Sequence, residues 1–404
     1  MGPPGGAGPL TVLVDAGPWL PVPPSGYGGI EAVLATLVPE LRRLGVRVVL
    51  ATVGASRLAV DERVTTFAEP RFADIAAPYN RVMGVAAAHV DRVLRELRGR
   101  DDVDLVHSHL EAWGLVAYAD AGVPVLHTLH WDLAKHPELY GGLDGRGRVF
   151  VNGVSAAQLA GAPPALRRHA LGHVHLATPL ADDPPPAVAR GDHLVVLARL
   201  TAAKGQDVAA RLARRTGRRV VLAGPVGPHH DAAALEHALA TDPRAREHPD
   251  VAWFLDEVAP LLDGDRVRWV GALHGAARDG LVASASAQLC PLQWEEPGGT
   301  GVVESLALGT PVVGYARGCL PELLDPGRTG LLGRPDDEDA LAGLLAAGAD
   351  RDLDRDACRD AARRRFTPAV MARGYLDLYR EVLARAERPG RAPLVAVGPP
   401  PTAG

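Results

Sequence analysis

The sequence predicts an α/β protein made of two Rossmann-like domains that face a central cleft. Three observations predict it. Short apolar runs alternate with helical patterns along most of the chain, the rhythm of parallel sheets with crossover helices. That rhythm breaks at a proline-rich stretch, Pro179-Leu-Ala-Asp-Asp-Pro-Pro-Pro, and then restarts. The 404 residues suffice for two such units, and 47% hydrophobic with 23% charged is ordinary globular composition.

The elements follow in order. Residues 1–9, rich in Gly and Pro, are expected to form a flexible leader; they lack the charged start and apolar core of a signal peptide. Residues 10–15 read as a buried strand. A proline-rich loop leads to Gly28-Gly29-Ile-Glu31, which opens a helix over 30–44 with Val33, Leu34, Leu37 and Leu41 on its apolar face. Gly45 stops that helix, and 46–51 is the next strand, completing a βαβ unit. Helical patterns at 80–99 and 110–120 alternate with strands at 103–107 and 123–128. A further strand is expected at 148–151, and an apolar segment at 173–177 ends at the linker. Beyond the linker, strands at 193–197, 219–223, 266–270, 287–291 and 311–314 alternate with helices at 206–215, 231–240, 275–284 and 301–308. Three Ala- and Arg-rich helices close the chain at 338–348, 354–364 and 368–387. The expected organisation is a first domain over 10–178, a linker over 179–191 and a second domain over 192–366. A last helix over 367–388 is followed by a tail over 389–404 that is expected to be disordered.

The richest segment is Trp294-Glu-Glu-Pro-Gly-Gly-Thr-Gly-Val-Val-Glu-Ser-Leu-Ala-Leu-Gly309. Gly298, Gly299 and Gly301 surround Thr300, and a short helical pattern follows. Glycines opening a helix leave backbone N–H groups bare at the positive end of the dipole, which suits a phosphate. Glu296 and Glu304 on either side are not placed to meet the phosphate, because like charges repel. They suit hydroxyl groups instead, a sugar at one end and a ribose at the other. A second cationic signal supports this. Of 43 cationic side chains only Lys135 and Lys204 are lysines. A compact ammonium and a planar guanidinium are not interchangeable at a tight phosphate. Lys204 and Arg199 sit in the loop after the strand at 193–197, at the carboxyl edge of the sheet where ligands of α/β proteins bind.

The run from Glu296 to Glu304, continued by Ser-Leu-Ala-Leu-Gly-Thr-Pro-Val-Val-Gly314, resembles the signature of glycosyltransferase family 4. Those enzymes are retaining, use nucleotide sugars and have the GT-B fold. The resemblance implies that Glu296 holds donor-sugar hydroxyls and Glu304 the ribose. It places the distal phosphate on the amides near Gly299, Thr300 and Gly301, and the diphosphate on Arg199 and Lys204. Gly28 and Gly29 match a glycine pair that lies near donor phosphate and acceptor, and His130 matches the active-site histidine. Leu273 is the nearest match to the backbone that meets the base. Lys135 is expected at the cleft mouth against an anionic donor or acceptor. Gly298 departs from the family pattern, which has an aromatic residue there. The first domain would be the acceptor side and the second would bind the nucleotide sugar. The resemblance thus implies transfer of a hexose from a UDP- or GDP-sugar to a hydroxyl acceptor, with no metal and no other cofactor required. The alternative is a non-catalytic nucleotide-sugar or carbohydrate-binding protein.

Other classes are disfavoured by the residues. A net charge of −5 gives no general affinity for nucleic acid. No apolar stretch approaches the roughly 20 residues that span a bilayer. The basic segment 92–100 is interrupted by Glu96 and reads as a solvated face rather than a membrane surface. A nicotinamide-dependent oxidoreductase needs G-x-G-x-x-G after its first strand, where this chain has Asp15-Ala-Gly-Pro-Trp. Cys290, Cys319 and Cys358 fit neither a zinc site nor a disulfide framework, so a cytoplasmic location is expected. His107, His109, His127 and His130 lack a zinc spacing, and His107 and His127 are expected to be buried with their nitrogens satisfied.

Overall fold

The computed structural model describes residues 8–26 and 28–386. The expected tail over 389–404 and nearly all of the expected leader lie outside the described residues. Two α/β units are present, matching the predicted fold class. The first contains β1 (Thr11–Asp15), α1 (Gly29–Arg43), β2 (Arg47–Thr52), β3 (Glu62–Thr65), α2 (Tyr79–Arg98), β4 (Leu105–Ser108) and α3 (Glu111–Ala117). It continues with β5 (Val125–Thr128), α4 (Pro137–Gly141), β6 (Val149–Gly153), α5 (Ala156–Ala160), α6 (Pro164–Arg167) and β7 (Ala170–His173). The second contains β8 (Leu194–Leu197), α7 (Gln206–Thr216), β9 (Val220–Ala223), α8 (Ala232–Thr241), α9 (Pro249–Trp253), β10 (Val267–Trp269) and α10 (Gly275–Ser284). It continues with β11 (Ala287–Cys290), α11 (Thr300–Ala307), β12 (Val312–Tyr315), α12 (Leu320–Leu323), β13 (Gly330–Gly333) and α13 (Glu338–Ala346). α14 (Arg355–Arg365) and α15 (Pro368–Arg385) follow.

The first sheet has the order β3-β2-β1-β4-β5-β6-β7 and the second β10-β9-β8-β11-β12-β13. Neighbouring strands pair in parallel, as crossover helices require. The central strands are buried on both faces, so they read as continuous apolar runs. In both sheets the strand order reverses beside the first strand of the unit. Loops at those carboxyl edges part to form a crevice, and the two crevices face each other.

Three strands were not foreseen, β3, β7 (Ala170–His173) and β13. Val174 and Leu176, in the apolar segment 173–177, are buried in the core that α15 completes. α15 packs on α1, placing Met371, Ala372, Tyr375, Leu378, Tyr379 and Val382 in the core of the first unit. Tyr379 OH meets His107 Nδ1 at 2.8 Å, and the Thr128 hydroxyl lies 3.3 Å from Tyr375 OH. A helix that follows the second unit in sequence is therefore built into the first.

Candidate active site

The loop after β8 brings Arg199 and Lys204 to the crevice, and the loop after β11 brings Trp294 and Glu296 opposite them. All four line one cavity of about 360 Å³ together with Gly29, His130, Gly299, Thr300 and Gly301. Sequence positions from both units thus converge as the motifs imply. Lys204 Nζ pairs with Glu296 Oε2, and the indole N–H of Trp294 donates to the same oxygen at 3.1 Å. The ammonium also lies 4.9 Å from the centroid of the Trp294 ring, a cation–π contact. Trp294 thus steers both members of the pair.

α11 begins at Thr300, and Gly299 caps it in the left-handed conformation, φ +62°. The amides of Thr300 and Gly301 precede the first bonds of the helix, Val302 and Val303 N–H to Gly299 O. They present the donors an anion needs. Gly298 owes its identity to the other unit. A Cβ there would lie 2.7 Å from Leu176 Cδ1 and 3.1 Å from Val154 Cγ2. This close approach of the first domain accounts for the missing aromatic side chain.

A second cavity, about 250 Å³, adjoins the first through Arg199. It is lined by Leu273, His230, Arg278 and Glu304 at the carboxyl edges of β9 and β10. Arg278 Nη1 donates to Glu304 Oε1 at 3.2 Å. Burial raises the Glu304 pKa, and Arg278 acts against that rise. The placement suits a nucleoside, with a carboxylate for hydroxyls and an apolar wall for a base.

On the first-domain side, a cavity of about 470 Å³ reaches Gly29, Glu31, His109, His130 and Lys135 and shares Arg199, Glu296 and Thr300 with the first cavity. Gly28 caps α1 but lines none of these cavities. A Cβ on it would meet Pro24 Cβ at 2.6 Å, so its role is close packing of the preceding loop. Lys135 is exposed, in a short 3₁₀ turn over Leu133–Lys135.

His107, His109 and His127 are buried, and His130 sits half-buried beside them. His130 Nε2 lies 2.8 Å from His109 Nδ1. Burial pushes the His130 imidazole down to about 4, so it is neutral at pH 7. His107 is satisfied by Tyr379 and Thr128, as expected. His127 is not: both ring nitrogens are buried without a hydrogen-bond partner among the described residues. Burial, with His130 nearby, holds it at about 3. The expectation of a satisfied His127 is therefore corrected.

Among the described residues one group has metal-ligand character, His173, His175 and Glu322, with ligand atoms within 4.8 Å of one another. None of the three lines the cavities above. Glu322 already accepts the amides of Ala156 and Ala157 at 3.0 Å each, across the domain boundary. Sequence reasoning missed Trp294 as a clamp, Arg278 and Glu322. Trp294 stands two residues before Glu296 and was within reach. Arg278 and Glu322 carry no local signal, being charges on short helices with no motif around them.

Two facing α/β domains with a glycine-opened helix N-terminus in the cleft between them define the GT-B class of glycosyltransferases. The comparisons agree. The family model "Glycosyl transferases group 1" matches residues 186–365 and "Glycosyltransferase Family 4" matches 27–163. The chain belongs to the glycosyltransferases of the family 4 kind. Among solved structures it is similar to AviGT4, a glycosyltransferase involved in avilamycin A biosynthesis. Identity is 27% and the TM-score 0.61, over 93% of this chain and 98% of that one. It is similar in fold to sucrose-phosphate synthase from Thermosynechococcus elongatus, at 20% identity and TM-score 0.66, over 93% of this chain and 99% of that one. Anabaena HepE in complex with UDP and glucose gives 18% identity and TM-score 0.62, over 92% of this chain and all of that one. No curated protein matches the chain by sequence. No helix among the described residues is long and apolar enough to cross a membrane.

Proposed function

We propose that the protein transfers a hexose from a nucleoside diphosphate sugar to a hydroxyl acceptor with retention at the anomeric carbon. The observation that carries the reading is the convergence of Arg199, Lys204, Glu296 and the N-terminus of α11 on one cavity, continuous with the pocket of Leu273 and Glu304. The nucleoside fits the smaller pocket, its ribose on Glu304. The diphosphate follows across Arg199 toward Thr300 and Gly301, and the sugar reaches Glu296. An ammonium has three donors, so Lys204 can hold Glu296 and a phosphate oxygen together. As the sugar–phosphate bond breaks, charge grows on the leaving diphosphate. Cations and helix amides already in place stabilise that charge without reorganisation.

His130 is neutral and weakly basic, so its part is to hold the sugar by hydrogen bonding rather than to take the acceptor's proton. With no carboxylate assigned as nucleophile, the acceptor attacks from the face the diphosphate leaves, and a departing phosphate oxygen accepts its proton. UDP- and GDP-sugars remain the leading donors. HepE, a fold neighbour, is seen with UDP-glucose, and starch synthase IV from Arabidopsis thaliana with ADP and acarbose. The test is calorimetric titration with UDP, GDP, ADP and dTDP, alongside Lys204→Ala. One nucleotide binding well, and failing in the variant, supports the reading. Absence of binding by all four overturns it.

A further inference from the structure

The first-domain cavity has an unusual wall. Trp19, Leu20, Phe72 and Ile75 line it opposite the polar groups. Phe72 and Ile75 remain 42% and 47% exposed, and the next helix continues the apolar surface with Tyr79 at 78% and Met83 at 47%. Large apolar side chains left this open and contiguous mark a binding surface. At the inner end stands Glu31 in the first turn of α1, only 6% exposed. No cation and no other side chain pairs with it among the described residues, and burial raises its pKa. Its carboxylate accepts its own backbone N–H, which leaves further lone pairs open to a ligand's hydroxyl.

The cavity thus has a polar end, beside Glu296 and His130, and an apolar end that opens onto a ridge. We propose that it is an acceptor site for an amphipathic small molecule: a hydroxyl-bearing polar end donates to Glu31, and a rigid apolar aglycone lies along Phe72 and Ile75. The inference rests on the transferase reading for the direction of sugar transfer, not for the existence of the apolar site. The volume, about 470 Å³, suits a drug-sized ligand. A lipid bilayer is the other occupant of an exposed apolar ridge, but anionic membranes recruit uncompensated cations. The cations flanking this ridge, Arg71 and Arg81, are both engaged by Asp74, at 2.6 and 3.3 Å.

The experiment uses two probes with the same polar end, 2-naphthyl β-D-glucopyranoside and methyl β-D-glucopyranoside. Binding to the full chain is measured by calorimetry with and without the nucleoside diphosphate that binds best. The naphthyl glycoside is expected to bind at least ~10-fold more tightly. The double variant Phe72→Ser/Ile75→Ser should remove most of that advantage and leave nucleotide affinity unchanged. Glu31→Gln should weaken both glycosides by a similar factor. Thermal melts confirm that the variants are folded. Equal binding of the two glycosides, no binding of either, or an unchanged double variant overturns the proposal. So does co-sedimentation of the wild-type protein, but not the double variant, with phosphatidylcholine–phosphatidylglycerol vesicles. If no nucleotide binds while the naphthyl preference persists, the transferase reading fails and the apolar site stands.

Discussion

Lys204 and Glu296, ninety-two positions apart in sequence, form an ion pair with the Lys204 ammonium against the Trp294 ring. The pair keeps two groups of opposite task within one side chain's reach: the cation for diphosphate, the carboxylate for sugar hydroxyls. Removing the cation leaves Glu296 facing incoming phosphates alone. Lys204→Ala is expected to weaken nucleoside diphosphate binding by roughly 10- to 100-fold, the worth of a charge-assisted hydrogen bond of about 1.5–3 kcal/mol. Lys204→Arg should not restore it, because the fork needs more room than the Trp294 face leaves. Calorimetry on both variants checks this; full affinity in Lys204→Arg would show that only net charge matters.

Gly298 is set by the neighbouring domain. Its missing Cβ would touch Leu176 and Val154. Gly298→Ala should cost little, since the nearest atom is the far end of a leucine side chain. Gly298→Phe should separate the domains and cost about 1–3 kcal/mol if they stay closed. Small-angle scattering reads the outcome as a larger radius of gyration with a loss of turnover. A compact, active Gly298→Phe variant would contradict the account.

Much of this site was legible because the sequence packs it into two loops. The segment 294–309 states a helix N-terminus, its glycines and its flanking acids in order, and Lys204 stands out among arginines. What was illegible depends on contacts between distant segments. Arg278 reaches Glu304 from another helix, and the His109–His130 bond joins the ends of two strands. β3 is a half-exposed edge strand and β13 is Gly-Leu-Leu-Gly, so neither carries a long apolar run. β7 ends where the apolar stretch 173–177 begins, and Val174 and Leu176 of that stretch serve packing with α15.

Glu322 crosses the domain boundary to accept two amides at the start of α5. It acts as an N-terminal cap supplied by the other domain, with the helix dipole favouring its charge. Glu322→Ala should lower stability by about 1 kcal/mol and raise KM for the donor more than it lowers kcat, because it loosens closure rather than chemistry. Equal losses in both parameters would count against that role.

His127 offers a stability test. Two buried, unpartnered nitrogens carry a desolvation cost that no hydrogen bond offsets. His127→Met, of similar volume, should leave the melting temperature unchanged or higher by a shift worth about 1 kcal/mol. Turnover should stay within about twofold, since His130 and not His127 lines the reaction cavities. A loss of activity without a loss of stability would reassign His127 to the chemistry.

The same burial fixes the response to acid. His130 titrates at about 4 in the folded chain against 6.5 for an unperturbed imidazole, and His127 at about 3. Between those limits the unfolded chain binds more protons than the folded one. Stability must therefore rise with pH across that window, and acidification from pH 6.5 toward 4 must lower it progressively. Each unit of difference is worth about 1.4 kcal/mol per histidine once both states have titrated. Urea denaturation at pH 7.5, 6, 5 and 4.5 should show a falling midpoint, with most of the loss below pH 6. In His127→Met that slope should be shallower, because one of the suppressed protonations is gone. A midpoint independent of pH over this range, or an equal slope in the variant, would mean that these imidazoles take up protons in the folded chain.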